Sequence, residues 1–214
     1  MLFKLAAKDS IANRFVAEVR SSKTQKDRLR FRRNLERIGE VLAYEISQTL
    51  DYEPIEVDTP LGISTIMLPV QRVVLATILR AGLPLHQGFL NYFDESDNVF
   101  IAAYRKQHKD GSFEIQLDYV STPSLEGCVL ILADPMLATG ASVNLALKEL
   151  ERFGKPVAVH VATVIASTAG IEAVRRRWPK TSIWAGAVDE ELTAKSYIVP
   201  GLGDAGDLAF GEKV

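Results

Sequence analysis

Val129-Leu130-Ile131-Leu132-Ala133-Asp134-Pro135-Met136-Leu137-Ala138-Thr139-Gly140-Ala141-Ser142 is the stretch on which the fold turns. Its first five residues are all apolar and include β-branched Val129 and Ile131, the pattern of a strand covered on both faces in a parallel sheet. Pro135 has no N–H and cannot continue a central strand. Asp134 is therefore expected at the strand's carboxyl end, where open α/β sheets gather their ligands. Thr139, Gly140 and Ser142 follow with hydroxyls, a permissive backbone and a helix N-cap candidate, and residues 143–150 read as the helix itself. Amides and dipole at such a terminus attract an anion, phosphate most readily.

Working outward, the same grammar recurs. Val73-Val74-Leu75-Ala76-Thr77-Ile78-Leu79 is a second doubly buried strand, expected to open the sheet near residue 72, and it runs into Arg80-Ala81-Gly82 before a helix over 83–92. Arg80 is either an exposed arginine that happens to end a strand or an anion ligand beside a backbone able to bring its amides close; its position alone leaves both open. Residues 99–104 form a third strand that also closes on a cation, Arg105. Residues 106–122 then read as a hairpin with a mobile polar tip and an anchored base. Downstream, strands over 157–166 and 182–188 flank a helix over 169–178. Strands alternating with helices place the chain in the α/β class, with a central parallel sheet flanked by helices and wound right-handedly.

Toward the N-terminus, Phe31, Leu35, Ile38, Leu42 and Ile46 form one apolar stripe, which predicts a long helix over residues 23–50. Arg28, Arg30, Arg32, Arg33 and Arg37 crowd its first half. They could touch nucleic acid, but the nearby acids Asp27, Glu36 and Glu40 favour a solvated or subunit-facing side. Residues 51–68 alternate extended pieces with Pro54, Pro60 and Gly62, as a small antiparallel ribbon would.

Composition sets the outer bounds. At 214 residues and 47% hydrophobic the chain can bury one large core, so a single domain over 1–214 is expected, with its core at about 70–190. A net charge of −2 argues against a general polyanion binder, making nucleic acid an unlikely partner. The single Cys excludes an intrachain disulfide framework, and the His residues at 86, 108 and 160 show no zinc spacing. No apolar stretch reaches the length of a membrane span and residues 1–13 lack a signal-peptide core, so a soluble cytoplasmic protein is expected. Cys128 and His160 read as core residues, and Asp189, Glu190 and Glu191 as a solvated turn.

The tail, Ser196-Tyr197-Ile198-Val199-Pro200-Gly201-Leu202-Gly203-Asp204-Ala205-Gly206-Asp207, carries too many apolar residues for a frayed end. Glycines in an ordered loop let backbone N–H and C=O groups face a ligand, which suits a small flat molecule with alternating donors and acceptors.

Taken together these motifs resemble a known family. Residues 134–142 resemble the phosphoribosyl pyrophosphate (PRPP) signature of type I phosphoribosyltransferases, with Ala141 standing where a second glycine is usual. Ile78-Leu79-Arg80-Ala81-Gly82-Leu83 and residues 197–207 resemble the pyrophosphate loop and uracil loop of uracil phosphoribosyltransferases. Leu42-Ala43-Tyr44-Glu45 and Thr59-Pro60-Leu61-Gly62 are also similar, so the likeness spans about residues 25–211. It implies a type I phosphoribosyltransferase fold with a β-hairpin arm and a small C-terminal hood loop over about 196–211. The implied reaction is uracil plus PRPP giving UMP and diphosphate, in pyrimidine salvage.

By the same resemblance Asp134 binds the ribose hydroxyls, while Pro135, Met136, Leu137, Ala138, Thr139, Gly140, Ala141 and Ser142 form the PRPP turn, residues 138–142 holding the 5-phosphate. Arg80 and Arg105 grip the pyrophosphate. Asp204 helps to place it, through Mg²⁺ and its waters. Ile198, Gly203 and Ala205, beside Asp204, read uracil through backbone groups, and a homodimer or higher homo-oligomer is implied. The alternative, from the arginine-rich helix, is a non-catalytic nucleotide- or RNA-binding regulator on the same fold.

Overall fold

Residues 129–133 do form a fully buried strand, and the sheet is assembled around it. The computed structural model describes residues 1–107 and 113–212. Along the chain lie β1 (Leu2–Lys4), α1 (Ala12–Arg20), α2 (Arg28–Ser47), β2 (Tyr52–Thr59) and β3 (Gly62–Pro69). The core follows with β4 (Val73–Leu79), α3 (Leu83–Leu90), β5 (Asp97–Gln107), β6 (Phe113–Ser121), β7 (Val129–Ala133), β8 (Met136–Leu137) and α4 (Ala141–Leu150). The last third contains β9 (Ala158–Ser167), α5 (Thr168–Arg177), β10 (Ser182–Asp189), β11 (Glu191–Leu192), β12 (Ile198–Val199) and α6 (Ala205–Phe210).

The main sheet runs β1-β10-β9-β7-β4-β5-β6, with β8 added beside β9. Every neighbouring pair is parallel except β5 with β6. Alternation along the strands divides the core between two faces. Leu75, Ile131 and Ala133 pack with α2 and α3 through Leu35, Ile38, Leu42, Leu85 and Phe89. Val74, Ala76, Leu130 and Leu132 pack with α4 and α5 through Val143, Ala146, Leu147 and Val174. Each of the Val, Leu, Ile and Phe side chains among them contributes about 1.5–3 kcal/mol relative to exposure.

Two expectations are corrected at the N-terminal side. The sheet does not begin at residue 72: Leu2 to Lys4 already pair with Ile183 to Ala185 at its far edge. The long helix starts at Arg28 because the Asp27 carboxylate accepts from Arg30 N at 3.0 Å and caps it there. A separate helix, α1, precedes it. Four of the five arginines on α2 are engaged within the chain: Arg30 with Glu18, Arg32 with the Ala209 carbonyl, Arg33 with Glu36 and Arg37 with Asn34. Contacts from Arg30 and Asn34 outweigh burial and hold the Glu18 carboxyl down at about 2.

Helices α2 and α3 cross at very short range through Gly39 and Gly88. A Cβ on Gly88 would stand 2.1 Å from the Glu36 carbonyl oxygen, and one on Gly39 2.4 Å from the Leu85 carbonyl oxygen. Gly88→Ala is therefore expected to force the helices apart and cost about 2 kcal/mol, read as a lowered Tm in thermal unfolding. An unchanged Tm would show that the crossing relaxes freely.

The β2–β3 ribbon is as expected, and it stands clear of the body, with Ile55, Ile63, Ile66, Met67 and Leu61 exposed. His160 is a core residue: its Nδ1 accepts from Trp184 Nε1 at 2.9 Å, and burial holds its imidazole down at about 4, so it is neutral at pH 7. Cys128 is fully buried and burial raises its thiol. The tip of the 106–122 hairpin, including His108, lies outside the described residues.

One local feature positions the site. Ala133 on β7 faces Ala162 on β9, and Met136 on β8 faces Ile165, so the register with β9 carries on unchanged across Asp134 and Pro135. At the interruption the Pro135 carbonyl accepts from both Val164 N and Ile165 N, at 3.1 and 3.0 Å.

Candidate active site

Parallel pairing sets the first two functional side chains next to each other. β4 and β7 are neighbours, with Thr77 opposite Ala133, so the turns after Leu79 and after Ala133 emerge together at the carboxyl edge. Asp134 stands on one, with Oδ1 accepting from Met136 N at 3.4 Å, and Arg80 on the other. The Arg80 turn is tight. A Cβ on Gly82 would lie 2.1 Å from Thr77 Oγ1 and 2.6 Å from the Ile78 carbonyl oxygen, which only glycine avoids.

Next to Asp134 the chain turns into α4. Gly140 occupies the N-cap position with φ +76°, in the left-handed region, and Ala141 N donates to Thr139 Oγ1 at 3.3 Å. The positive φ falls on Gly140, and Ala141 already belongs to the helix and is exposed, so its methyl group causes no strain. The turn is braced from behind by the start of α5. Ser167 caps that helix by accepting from Gly170 N at 2.8 Å, and its hydroxyl donates to the Ala138 carbonyl. Gly170 lies so close that a Cβ there would be 2.5 Å from the Ala138 oxygen. The result is a small hollow of about 30 Å³ lined by Asp134 and residues 136–143. The first amides of a helix have no partner within it, so this hollow suits an anion.

The C-terminal loop closes the site from above. β12 pairs with β11, the Val199–Pro200 peptide is cis, and Gly201 and Gly203 take φ of +54° and +95°. Asp204 then caps α6, its Oδ1 accepting from Gly206 N at 2.8 Å and Asp207 N at 3.0 Å. A cleft of about 130 Å³ results. Its walls are Ala81 from the first turn, Met136 and Ala138 from the second, and Tyr197, Ile198 and residues 203–206 from the loop. All three sequence motifs thus meet at one place. Arg80 links them: its guanidinium donates to the Gly211 carbonyl at 3.1 Å and lies 3.5 Å from Asp207 Oδ1.

Arg105 is placed differently from the expectation. β5 does not end there but continues to Gln107 on the two-stranded arm with β6, where Arg105 faces Ile115 across the ladder. Its side chain lies outside those described.

Asp189 is not part of a solvated turn. It is buried at the end of β10 and takes a bidentate contact from Arg20 of α1, at 2.7 and 2.8 Å. Its Oδ2 also accepts from Gly201 N at 2.9 Å, while Arg20 donates to the Gly201 carbonyl at 2.9 Å. Burial alone would raise the carboxyl; the Arg20 guanidinium and the Gly201 amide overcome it and hold Asp189 below its usual range. Nothing in the local sequence marks the pair, since its members are 169 positions apart. An acid directly after a buried strand was the one available signal.

A family model described as uracil phosphoribosyltransferase matches residues 6–212. Among curated proteins, the chain is 52% identical over 211 residues to a uracil phosphoribosyltransferase of Porphyromonas gingivalis, covering 98% of both chains. Against the uracil phosphoribosyltransferases of Thermococcus gammatolerans and Pyrococcus furiosus the identities are 38% and 37%, covering 92% and 93% of this chain and 87% and 85% of those proteins. Among solved structures, the AQ2163 protein of Aquifex aeolicus matches with a TM-score of 0.89 at 29% identity, over the full length of both chains.

Proposed function

Since the chain belongs to the uracil phosphoribosyltransferase family, we propose from its own geometry how it joins uracil to PRPP, giving UMP and diphosphate. It is a pentosyltransferase. The observation that carries the reading is the meeting of the Arg80 turn, the Asp134 turn and the C-terminal loop around one cleft.

The 5-phosphate seats on the amides and hydroxyls of residues 138–142 at the start of α4, and Asp134 accepts from the ribose hydroxyls. Arg80 grips the pyrophosphate together with Arg105 of the arm, assigned by the family's pattern, and Asp204 approaches from the loop. Ile198, Gly203 and Ala205 present backbone groups to the base. Uracil offers acceptor, donor and acceptor along one edge, and a loop offering the complement rejects cytosine by leaving a buried group unpaired. Bond breaking at the anomeric carbon runs ahead of bond making, so no protein nucleophile is needed. Catalysis is then orientation of the two substrates plus stabilisation of the leaving pyrophosphate by arginine.

Mg²⁺ fits this donor set only as a companion of the substrate. Among the described residues no three His, Cys, Asp or Glu gather as a cage, whereas Asp204 lines the cleft and Asp134 the smaller hollow, each a hard oxygen donor. Magnesium that keeps its waters binds through one or two carboxylates plus substrate phosphates, and when present it supplies charge neutralisation at the pyrophosphate.

We include in the proposal a role in pyrimidine salvage, a cytoplasmic location and a homodimer. No helix among the described residues is long and apolar enough to cross a membrane. PRPP, a multiply charged substrate, is retained by membranes. The exposed apolar residues of the β2–β3 ribbon are a surface that a second copy would cover. No observation favours an RNA-binding regulator, because four of the five arginines of α2 are already engaged within the chain.

The test is base selectivity. The purified chain with PRPP and Mg²⁺ is expected to form UMP from uracil and to stop on chelation of the metal. Turnover of hypoxanthine or orotate in the absence of turnover of uracil would overturn the reading.

A further inference from the structure

Arg20 and Asp189 touch neither of the hollows just described, yet together they hold both polar backbone groups of Gly201, at the turn of the loop that closes the site. Gly201 lies between Ile198 on one side and Gly203 to Ala205 on the other. It packs so closely on Ile198 that a Cβ would stand 2.2 Å from that residue's carbonyl oxygen. Its left-handed φ and a buried hydrogen-bonded partner leave this segment one arrangement.

The same N-terminal segment reaches the loop at two further points. Gln25, with its amide turned to donate, meets the Leu202 carbonyl at 2.9 Å, and Arg32 meets the Ala209 carbonyl at 2.7 Å. Of the PRPP elements, Arg80 after β4, Asp134 after β7 and the start of α4 make no hydrogen bond to Arg20 or Asp189 among those described, and Asp204 alone lies on the clamped loop. The clamp therefore bears first on the uracil half of the cleft, where Ile198, Gly203 and Ala205 lie.

We infer that the Arg20–Asp189 pair is a positioning device for uracil: it fixes Gly201 so that the backbone groups of Ile198, Gly203 and Ala205 face the base at hydrogen-bonding distance. This rests on the reading of the site given above. A backbone-read base is sensitive to such support, because a shift of the loop misplaces donors and acceptors that no side-chain rotamer can re-aim. The bidentate fork matters as well as the charge. Lysine carries the charge but cannot hold two carboxylate oxygens and a carbonyl in one plane.

The experiment is steady-state kinetics on Arg20→Ala, Arg20→Lys and Asp189→Asn, with both substrates varied. KM for uracil is expected to rise about tenfold in Arg20→Ala and Asp189→Asn, with KM for PRPP moved far less, through Asp204 only, and kcat at saturating uracil largely kept. Arg20→Lys should recover only part of the loss. Discrimination against cytosine should weaken in the same order. An unchanged uracil KM in folded variants would overturn the inference, as would a fall in kcat with both KM values moved together, or loss of the folded state in all three variants. The wild-type protein run alongside separates the two readings. If it forms no UMP, the functional reading fails; if it does and the variants match it, only the clamp fails.

Discussion

Asp134→Asn is expected to fold like the wild type and to lose about 10²- to 10³-fold in kcat/KM. The side chain stands past the end of β7, at a half-buried edge, so the change leaves both faces of the core intact. What it removes is a negative charge beside a ribose that becomes cationic as its bond to pyrophosphate breaks, and one of two oxygens able to accept from the hydroxyls. A carboxylate accepting from a hydroxyl is worth about 1.5–3 kcal/mol, roughly one to two orders of magnitude for each contact. Kinetics with both substrates, alongside thermal unfolding, gives the answer. Near wild-type kcat/KM in a protein of unchanged Tm would remove Asp134 from the role.

Arg80→Met should produce a loss of similar size, about 10²- to 10³-fold, but distributed differently. Methionine keeps part of the stem and removes the guanidinium, which donates to the Gly211 carbonyl and neighbours Asp207. Pyrophosphate loses its cation as it departs, so kcat falls and KM for PRPP rises. Arg80→Lys should restore a fraction, because a point charge cannot present the fork that an oxygen-rich leaving group accepts. An effect confined to Tm, with kinetics unaltered, would make Arg80 a support for α6 and nothing more.

The inner strands β4, β7, β9 and β10 were legible because a strand covered on both faces has no polar alternation to confuse the reading, and a proline or a glycine closes each of the two that carry the site. The Asp134 turn, the Arg80 turn and the tail loop could be read as three separate anion-binding or base-binding candidates. Their convergence could not, since it depends on β4 lying beside β7 and on the path of a loop 60 residues further on. β1 escaped notice because three residues ending in Lys4 carry no period. Asp189 hides its role for a related reason: one acid at the head of Glu190 and Glu191 looks solvated until Arg20 arrives from the opposite end of the chain. Ala141 stands where a second glycine is usual, and the backbone shows why that is harmless: the left-handed residue is its neighbour, Gly140.

The unbroken register between β9 and the two strands either side of Asp134 and Pro135 has a consequence for the length of this segment as well as its composition. Adding or removing one residue there would turn Met136 and Leu137 to the opposite faces of the sheet and rotate the start of α4 away from Asp134, so a deletion would be felt as an exchange of faces along the site edge. By contrast, the tip of the β2–β3 ribbon, where Leu61 is 99% exposed, could grow or shrink without any strand noticing. Two turns of similar length in the same chain thus have opposite tolerances to insertion, and the one that carries the chemistry is the one whose residues must be counted.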